Sequence, residues 1–293
     1  MHVPIDPQSL RAAADAILEQ HEAGLLTAAL AACDALLARA VDLTDPVVRE
    51  SAFTAWFERS AILAELGDLD AAADAALTAC DSLPFDEQDP DQIHELAMLL
   101  LHAGTCQDAA GDALGAVATY DQLIAELGTA TDPVTREQVI RGRVNRGATL
   151  LSLGRHLETL DAATALAHEL DSALPGEAEQ LGMAQRVRAA ALRGLDRAEE
   201  AVVALAEAET LAAVAEVGAR SQAAAAQGER ARLLAELGRV DEAIDVLERV
   251  VSRFGDDPEI AQAVAELRSV EAELLDAAGD HDRAASLRAA AHA

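Results

Sequence analysis

The feature that most constrains the fold is a dipeptide that returns about every 42 residues. An aspartate side chain can accept hydrogen bonds from free N–H groups at a helix start, and proline at the first helical position sacrifices no donor. Asp-Pro therefore predicts a helix start in each period. Pro175 falls one period after Pro133 and extends the series without a preceding aspartate. The dipeptides are Asp6-Pro7, Asp45-Pro46, Asp89-Pro90, Asp132-Pro133 and Asp257-Pro258.

A second marker has the same period and a fixed offset from the first. It is a short turn, in most cases ending in glycine, which permits the left-handed conformation that closes a helix. Five positions after the second residue of most turns stands alanine, a small residue that lets the next helix pack closely, and Thr159 is the exception. The turns are Ala23-Gly24, Leu66-Gly67, Ala110-Gly111, Leu153-Gly154, Leu195-Asp196, Leu237-Gly238 and Ala278-Gly279.

Together the markers predict an all-α chain of about seven helix–turn–helix repeats. Apolar residues recur at three and four positions within the repeats, and alanine permits short distances between helices. One hairpin alone exposes an apolar face, so stability must come from stacking of neighbours. We expect a single continuous array over 1–293, with repeats at about 6–44, 45–88, 89–131, 132–174, 175–216, 217–256 and 257–293.

The repeats resemble tetratricopeptide (TPR) repeats. That family has characteristic positions for large residues, small residues and helix-breaking residues, and these are matched by Trp56, Leu63, Gly67, Ala72, Ala79 and Pro84. Gly104 and Gly147 stand at the position where its two helices are in tight contact. The period and the segments Thr131–Val139 and Val144–Arg155 are similar to the 42-residue class of TPR-like bacterial repeats. This resemblance implies a right-handed α-solenoid whose first helices line a concave groove that binds proteins or peptides.

Composition excludes several partners. The net charge of -30 repels nucleic acid and anionic lipid, and only 2% of the residues are aromatic. No leader segment or membrane span is recognisable. Three widely spaced cysteines indicate reduced thiols, so we expect a cytoplasmic protein.

No catalytic or cofactor motif is present in the sequence, so we expect neither enzymatic activity nor a cofactor. His102 and Cys106 share a helix face, with His94 two turns earlier, and this trio could in principle hold a soft metal ion. A half-buried histidine beside a core thiol is the favoured interpretation, so no metal site is predicted.

Charge is distributed unevenly. Residues 60–135 contain 15 acidic residues and no arginine, whereas 136–197 contain nine arginines and eight acidic residues. In TPR geometry Arg141, Asn145, Arg186 and Arg193 face the groove. These arginines could bind the carboxylates of an acidic peptide, or they could pair with acidic residues of adjoining repeats.

Aromatic residues suggest a second contact surface in the front half. Phe57 and Leu101 fall at positions that face the concave side in TPR repeats, and Trp56 matches a packing position. Phe57 could anchor a partner or pack against the first repeat.

The sequence thus predicts a non-catalytic scaffold or adaptor that binds a protein or peptide segment in its groove. Two alternatives remain: a peptide-sensing regulatory module, and an enzyme with a carboxylate site on helix faces. The last segment, Asp280–Ala293, could act as a cap through Ala284, Leu287 and Ala291, or could pack on a second copy of the chain.

Overall fold

The computed structural model describes residues 6–174, 176–214, 216–255 and 257–291. Within these ranges the chain forms fourteen α-helices and two 3-10 segments, and no strand. The helices are α1 (Pro7–Glu22), α2 (Leu26–Leu37), α3 (Pro46–Glu65), α4 (Leu69–Ser82), α5 (Pro90–Ala110), α6 (Ala113–Leu127), α7 (Pro133–Ser152), α8 (His156–Glu169), α9 (Glu177–Gly194), α10 (Ala198–Glu207), α11 (Val217–Glu236), α12 (Val240–Phe254), α13 (Ala261–Ala278) and α14 (His281–Ala291). The 3-10 segments are Ala208–Ala213 and Pro258–Ile260. The predicted all-α class is confirmed.

The helices form two compact units, Met1–Thr149 and Leu150–Ala293, here called unit 1 and unit 2. In unit 1, α1 packs against α2 and α3, and this nearest-neighbour pattern continues through α4, α5 and α6. In unit 2, α9 packs against α8, α10 and α11, and α11 packs in turn against α12 and α13. Contact with near neighbours alone is the packing pattern of α-solenoid repeats.

The aspartate caps predicted from the Asp-Pro dipeptides are present. Asp45 accepts hydrogen bonds from the backbone N–H groups of Val47 and Val48, at 2.9 and 3.2 Å. Asp132 accepts one from Thr135 at 2.8 Å. The helix start predicted at Pro175 lies outside the described residues.

Every predicted turn contains a residue in the left-handed conformation. Six are glycines, with φ between 70° and 89°, and the seventh is Asp196 with φ of 59°. The small residue five positions later is fully buried in all seven repeats, Thr159 included. Each repeat therefore closes through the same turn and the same tight helix contact, which is why the period is visible in the sequence.

Alanine and glycine determine how closely the helices approach. At Gly104 on α5, an added Cβ would lie 2.6 Å from the Tyr120 ring of α6, so only glycine fits there. Trp56 of α3 is partly buried against a cluster that includes Ala76 and Ala79 of α4. The expected packing role of Trp56 agrees with this position.

The last helix packs on its neighbours. Ala284 is fully buried with Ile244, Ala272 and Leu275, and Leu287 packs against this cluster. The side chain of Ala291 lies outside the described part of the chain. Among the described helices, none combines the length and the apolar character that a membrane span needs.

Candidate functional site

Arg186 of α9 is held by two residues of α11. Its Nε and Nη2 atoms donate to Glu229 Oε1 at 2.8 and 2.5 Å, and Nη1 donates to Gln222 Oε1 at 2.8 Å. The side chains of Arg186 and Glu229 are each 34% exposed. Arg186 thus already has a carboxylate partner on the first helix of the following repeat.

Arg193 is paired in the same way. Its Nη2 lies 3.1 Å from Glu236 Oε2, and both side chains are more than half exposed. Similar pairs between residues about one repeat apart recur in both units. They join Arg11 to Glu50, Arg49 to Glu95, Arg220 to Glu259, and Arg239 to Glu199. Of the two alternatives for Arg186 and Arg193, pairing with adjoining repeats is therefore the arrangement in the structure.

The first helices of unit 2 border a groove of about 470 Å³. Its lining includes Ala225 and Gly228 of α11, Ala263 of α13 and Arg186 of α9. We call it the α9–α11–α13 groove. The small lining residues leave room for a ligand backbone to approach the helices.

Arg232 of α11 also lines this groove. It is exposed, and within the described residues it forms no ion pair or hydrogen bond. Gln262 and Glu266 of α13 are exposed and line the same groove. Arg232 lies beyond the arginine-rich window 136–197, so the charge pattern of the sequence did not indicate it. Its first-helix position in the next repeat was the available signal.

In unit 1 the predicted polar residues differ in their surroundings. Arg141 of α7 is exposed and forms no ion pair or hydrogen bond among the described residues. The Asn145 side chain instead bonds to the hydroxyl of Tyr120, a side chain that is 1% exposed. Asn145 therefore supports the α6–α7 contact, whereas Arg141 projects a cation into solvent.

The predicted apolar contacts differ as well. Phe57 is half-buried, and its ring centroid lies 5.9 Å from those of Phe53 and His102. Leu101 is 7% exposed and packs in a cluster with Leu100 and Tyr120. Phe57 retains accessible ring surface, whereas Leu101 contributes to the core of unit 1.

The histidine–cysteine pair on α5 is a local contact. Cys106 Sγ lies 3.6 Å from His102 Nε2, and burial lowers the pKa of His102 despite an opposing hydrogen bond with the Ser60 backbone. Burial also raises the pKa of the Cys106 thiol. Among the described residues, no group of three or more histidine, cysteine or acidic side chains could hold a metal ion.

Two acids, the partly buried Glu95 and the buried Glu271, have raised pKa values. Burial raises the pKa of Glu95 although Arg49 opposes it, and burial with the nearby charge of Glu248 raises the pKa of Glu271. Glu95 is an ion-pair partner of Arg49, whose Nε also donates to the Pro84 carbonyl at 2.8 Å. Neither acid lines the α9–α11–α13 groove, so they do not form a paired acid–base site there.

Comparison with known proteins identifies the repeat type. The sequence profile of the tetratricopeptide repeat matches residues 223–267. A tetratricopeptide repeat protein from Parabacteroides merdae is similar in structure with a TM-score of 0.60 and 14% identity, covering 97% of this chain and 93% of that chain. The apo form of RapI gives a TM-score of 0.61 at 11% identity, covering 95% and 74% of the two chains. No curated protein matches the sequence.

The fold thus defines an all-α helical-repeat protein of the solenoid class. More specifically, the chain has the fold of TPR-like repeat proteins, and residues 223–267 match the tetratricopeptide repeat itself. Assignment to the 42-residue class of such repeats stays a prediction.

Proposed function

We propose that the chain is a non-catalytic protein-interaction module that binds an extended or helical segment of a partner in the α9–α11–α13 groove. One observation carries the proposal: Arg232, an exposed arginine that forms no ion pair with any described residue, lines a groove together with several small residues. Such a guanidinium is available to a carboxylate of the partner. The partner segment is therefore expected to carry acidic residues.

Arg186 lines the same groove, and a carboxylate of the partner can take the place of its present partner, Glu229. Its ion pair with Glu229 is about one-third exposed on both sides. Ion pairs of this exposure contribute on the order of 0.2–1 kcal/mol, so a partner carboxylate can replace Glu229 at small cost. Arg193, whose pair with Glu236 is more exposed still, would extend the contact toward the end of α9.

Unit 1 offers a separate contact surface under this proposal. Arg141 supplies an exposed cation, and Phe57 supplies a half-buried ring. Aromatic and arginine side chains are the residues that most often contribute strongly to protein interfaces. Asn145 and Leu101 support the packing of unit 1 instead, because the first bonds to the buried Tyr120 and the second lies in the core.

We also propose that the chain is cytoplasmic and that it can associate with a second copy of itself. Cys33, Cys80 and Cys106 are free thiols, and burial raises the pKa of Cys33 and Cys80 to about 12. Thiols of this kind resist oxidation and support a cytoplasmic location. A second copy of the chain remains one candidate partner, through α14.

Site-specific photo-crosslinking in the native host tests the groove. One variant carries a photoreactive residue at Gln262, on the groove wall, and a matched control carries it at Asp245, an exposed position of α12 outside the groove. We expect one protein segment to be captured from Gln262 and not from Asp245. Equal capture from both positions, or none from Gln262, would contradict the proposal. Capture of a second copy at Gln262 would identify the partner as the chain itself.

A further inference from the structure

A second cavity in unit 2 lies outside the α9–α11–α13 groove. It has a volume of about 440 Å³ and is bordered by α11, α12 and the 3-10 segment Ala208–Ala213. None of its lining residues also lines the groove. Any ligand in this cavity would therefore be additional to the proposed partner segment.

Two arginines of α12 line the cavity on the same side. Arg249 and Arg253 are four positions apart, which places both side chains on one face of the helix. Both are exposed, and among the described residues neither forms an ion pair. The guanidinium carbon of Arg253 lies 5.9 Å from the ring centroid of Phe254, a favourable cation–π distance.

The acidic residues of the cavity are neutralised by other arginines. Glu209 Oε2 lies 3.7 Å from Arg230 Nη1, and Glu248 forms an ion pair with Arg283 of α14. These acids therefore leave the charges of Arg249 and Arg253 largely uncompensated. In a chain with a net charge of -30, two such cations in one cavity need an explanation.

Arg230, the partner of Glu209, also helps to fix the α11 side of the cavity. Burial lowers the pKa of Arg230, the charge of Glu209 opposes this shift, and the positive charges of Arg249 and Arg239 act with burial. Arg230 Nη1 donates to Gln227 Oε1 at 3.1 Å, and Gln227 Nε2 donates to the Leu205 carbonyl at 2.9 Å. The Gln227 side chain is 2% exposed, so this wall of the cavity is fixed in position.

We propose that this cavity, the Arg249–Arg253 pocket, binds a small ligand through an oxyanion group, either a phosphate or a carboxylate. The two guanidiniums hold the anion, and the exposed hydroxyl of Ser252 is a further donor at the rim. The volume is within the range of small-molecule sites, about 300–1,000 Å³. The acidity of the rest of the chain opposes an anion only weakly, since charges beyond about 8 Å are screened at physiological ionic strength.

The test is a titration of the full chain with inorganic phosphate and, separately, with succinate. NaCl keeps the ionic strength constant, and backbone amide shifts of α11 and α12 are followed by NMR. We expect saturable shifts with at least one of the two anions. Saturation by phosphate alone assigns a phosphate ligand, and saturation by succinate alone assigns a carboxylate ligand.

Three variants make the titration specific. Arg249→Gln/Arg253→Gln should weaken binding by about tenfold or more, because two charged hydrogen-bond donors are lost. Arg283→Gln should also weaken it, because Glu248 loses its partner and faces the anion. Arg11→Gln/Arg39→Gln removes the same charge from unit 1 and should change nothing. Absence of saturation with both anions, or equal binding by the Arg249→Gln/Arg253→Gln variant, would overturn the proposal.

Discussion

Arg186 Nη2 lies 2.5 Å from Glu229 Oε1, although the two residues are 43 positions apart in the chain. Arg193 and Glu236 repeat this separation seven residues later. The pairs join the first helices of consecutive repeats, at a spacing one residue longer than the period of about 42. They report the register in which the repeats of unit 2 stack.

The Arg186–Glu229 pair should contribute little to stability. A double-mutant cycle with Arg186→Ala and Glu229→Ala is expected to give a coupling of about 0.2–1 kcal/mol in urea unfolding, because both side chains are partly solvated. The coupling should decrease in high salt. A salt-independent coupling well above this range would show that Glu229 cannot be replaced by a partner carboxylate.

The Asp45 cap should be required for full stability of α3. Asp45→Ala removes the acceptor of two backbone N–H groups and is expected to lower the free energy of unfolding by about 1 kcal/mol. Asp45→Asn is the matched control, since asparagine caps about as well as aspartate. Equal losses in the two variants would indicate a role for the charge of Asp45 rather than for its cap.

Gly104→Ala should destabilise unit 1, although alanine is the better helix former. Its Cβ would lie 2.6 Å from the Tyr120 ring. Overpacking typically costs about 1–3 kcal/mol, against a gain of about 1 kcal/mol in helix propensity. In the double variant Gly104→Ala/Tyr120→Leu, leucine replaces the larger tyrosine. This replacement should recover part of the stability that the clash removes. A thermal unfolding temperature of Gly104→Ala higher than that of the wild type would contradict the close approach of α5 and α6.

His21 should make the stability of unit 1 depend on pH. Burial alone would lower its pKa, but Glu58 and Glu65 outweigh this effect and raise the pKa above its ordinary value of about 6.5. Its ion pairs therefore stabilise the fold fully below pH 6.5, and this contribution is lost as the pH rises through the raised pKa. The difference in unfolding free energy between wild type and His21→Gln should decrease as the pH rises from about 6.5 through the raised pKa of His21. A difference that is constant from pH 6 to 8 would contradict the assignment.

The sequence predicted local structure well because each local marker has one physical role. Asp-Pro specifies a cap and a helix start, and the turn position requires a left-handed residue. Asp196 shows how strong this signal is, because it adopts the left-handed conformation without being glycine. These roles depend on neighbours a few residues away, so a single sequence suffices to identify them.

The candidate site was less predictable because it depends on contacts between repeats. Periodicity placed Asn145 and Leu101 on a first-helix face. It could not show that Asn145 bonds to Tyr120 or that Leu101 is buried in the core. It also could not select Glu229 as the partner of Arg186 in a chain with 52 acidic residues. Arg232 became a candidate only when the structure showed a groove beside it.

Binding of a partner segment in the α9–α11–α13 groove can be measured directly as an affinity. The segment captured from Gln262 is titrated with wild type, with Arg186→Ala/Arg232→Ala, and with Arg197→Ala/Arg239→Ala, which removes the same charge outside the groove. We expect a loss of about tenfold or more for the groove variant and nearly wild-type affinity for the control. Equal affinity of the three proteins at unchanged helicity would contradict it.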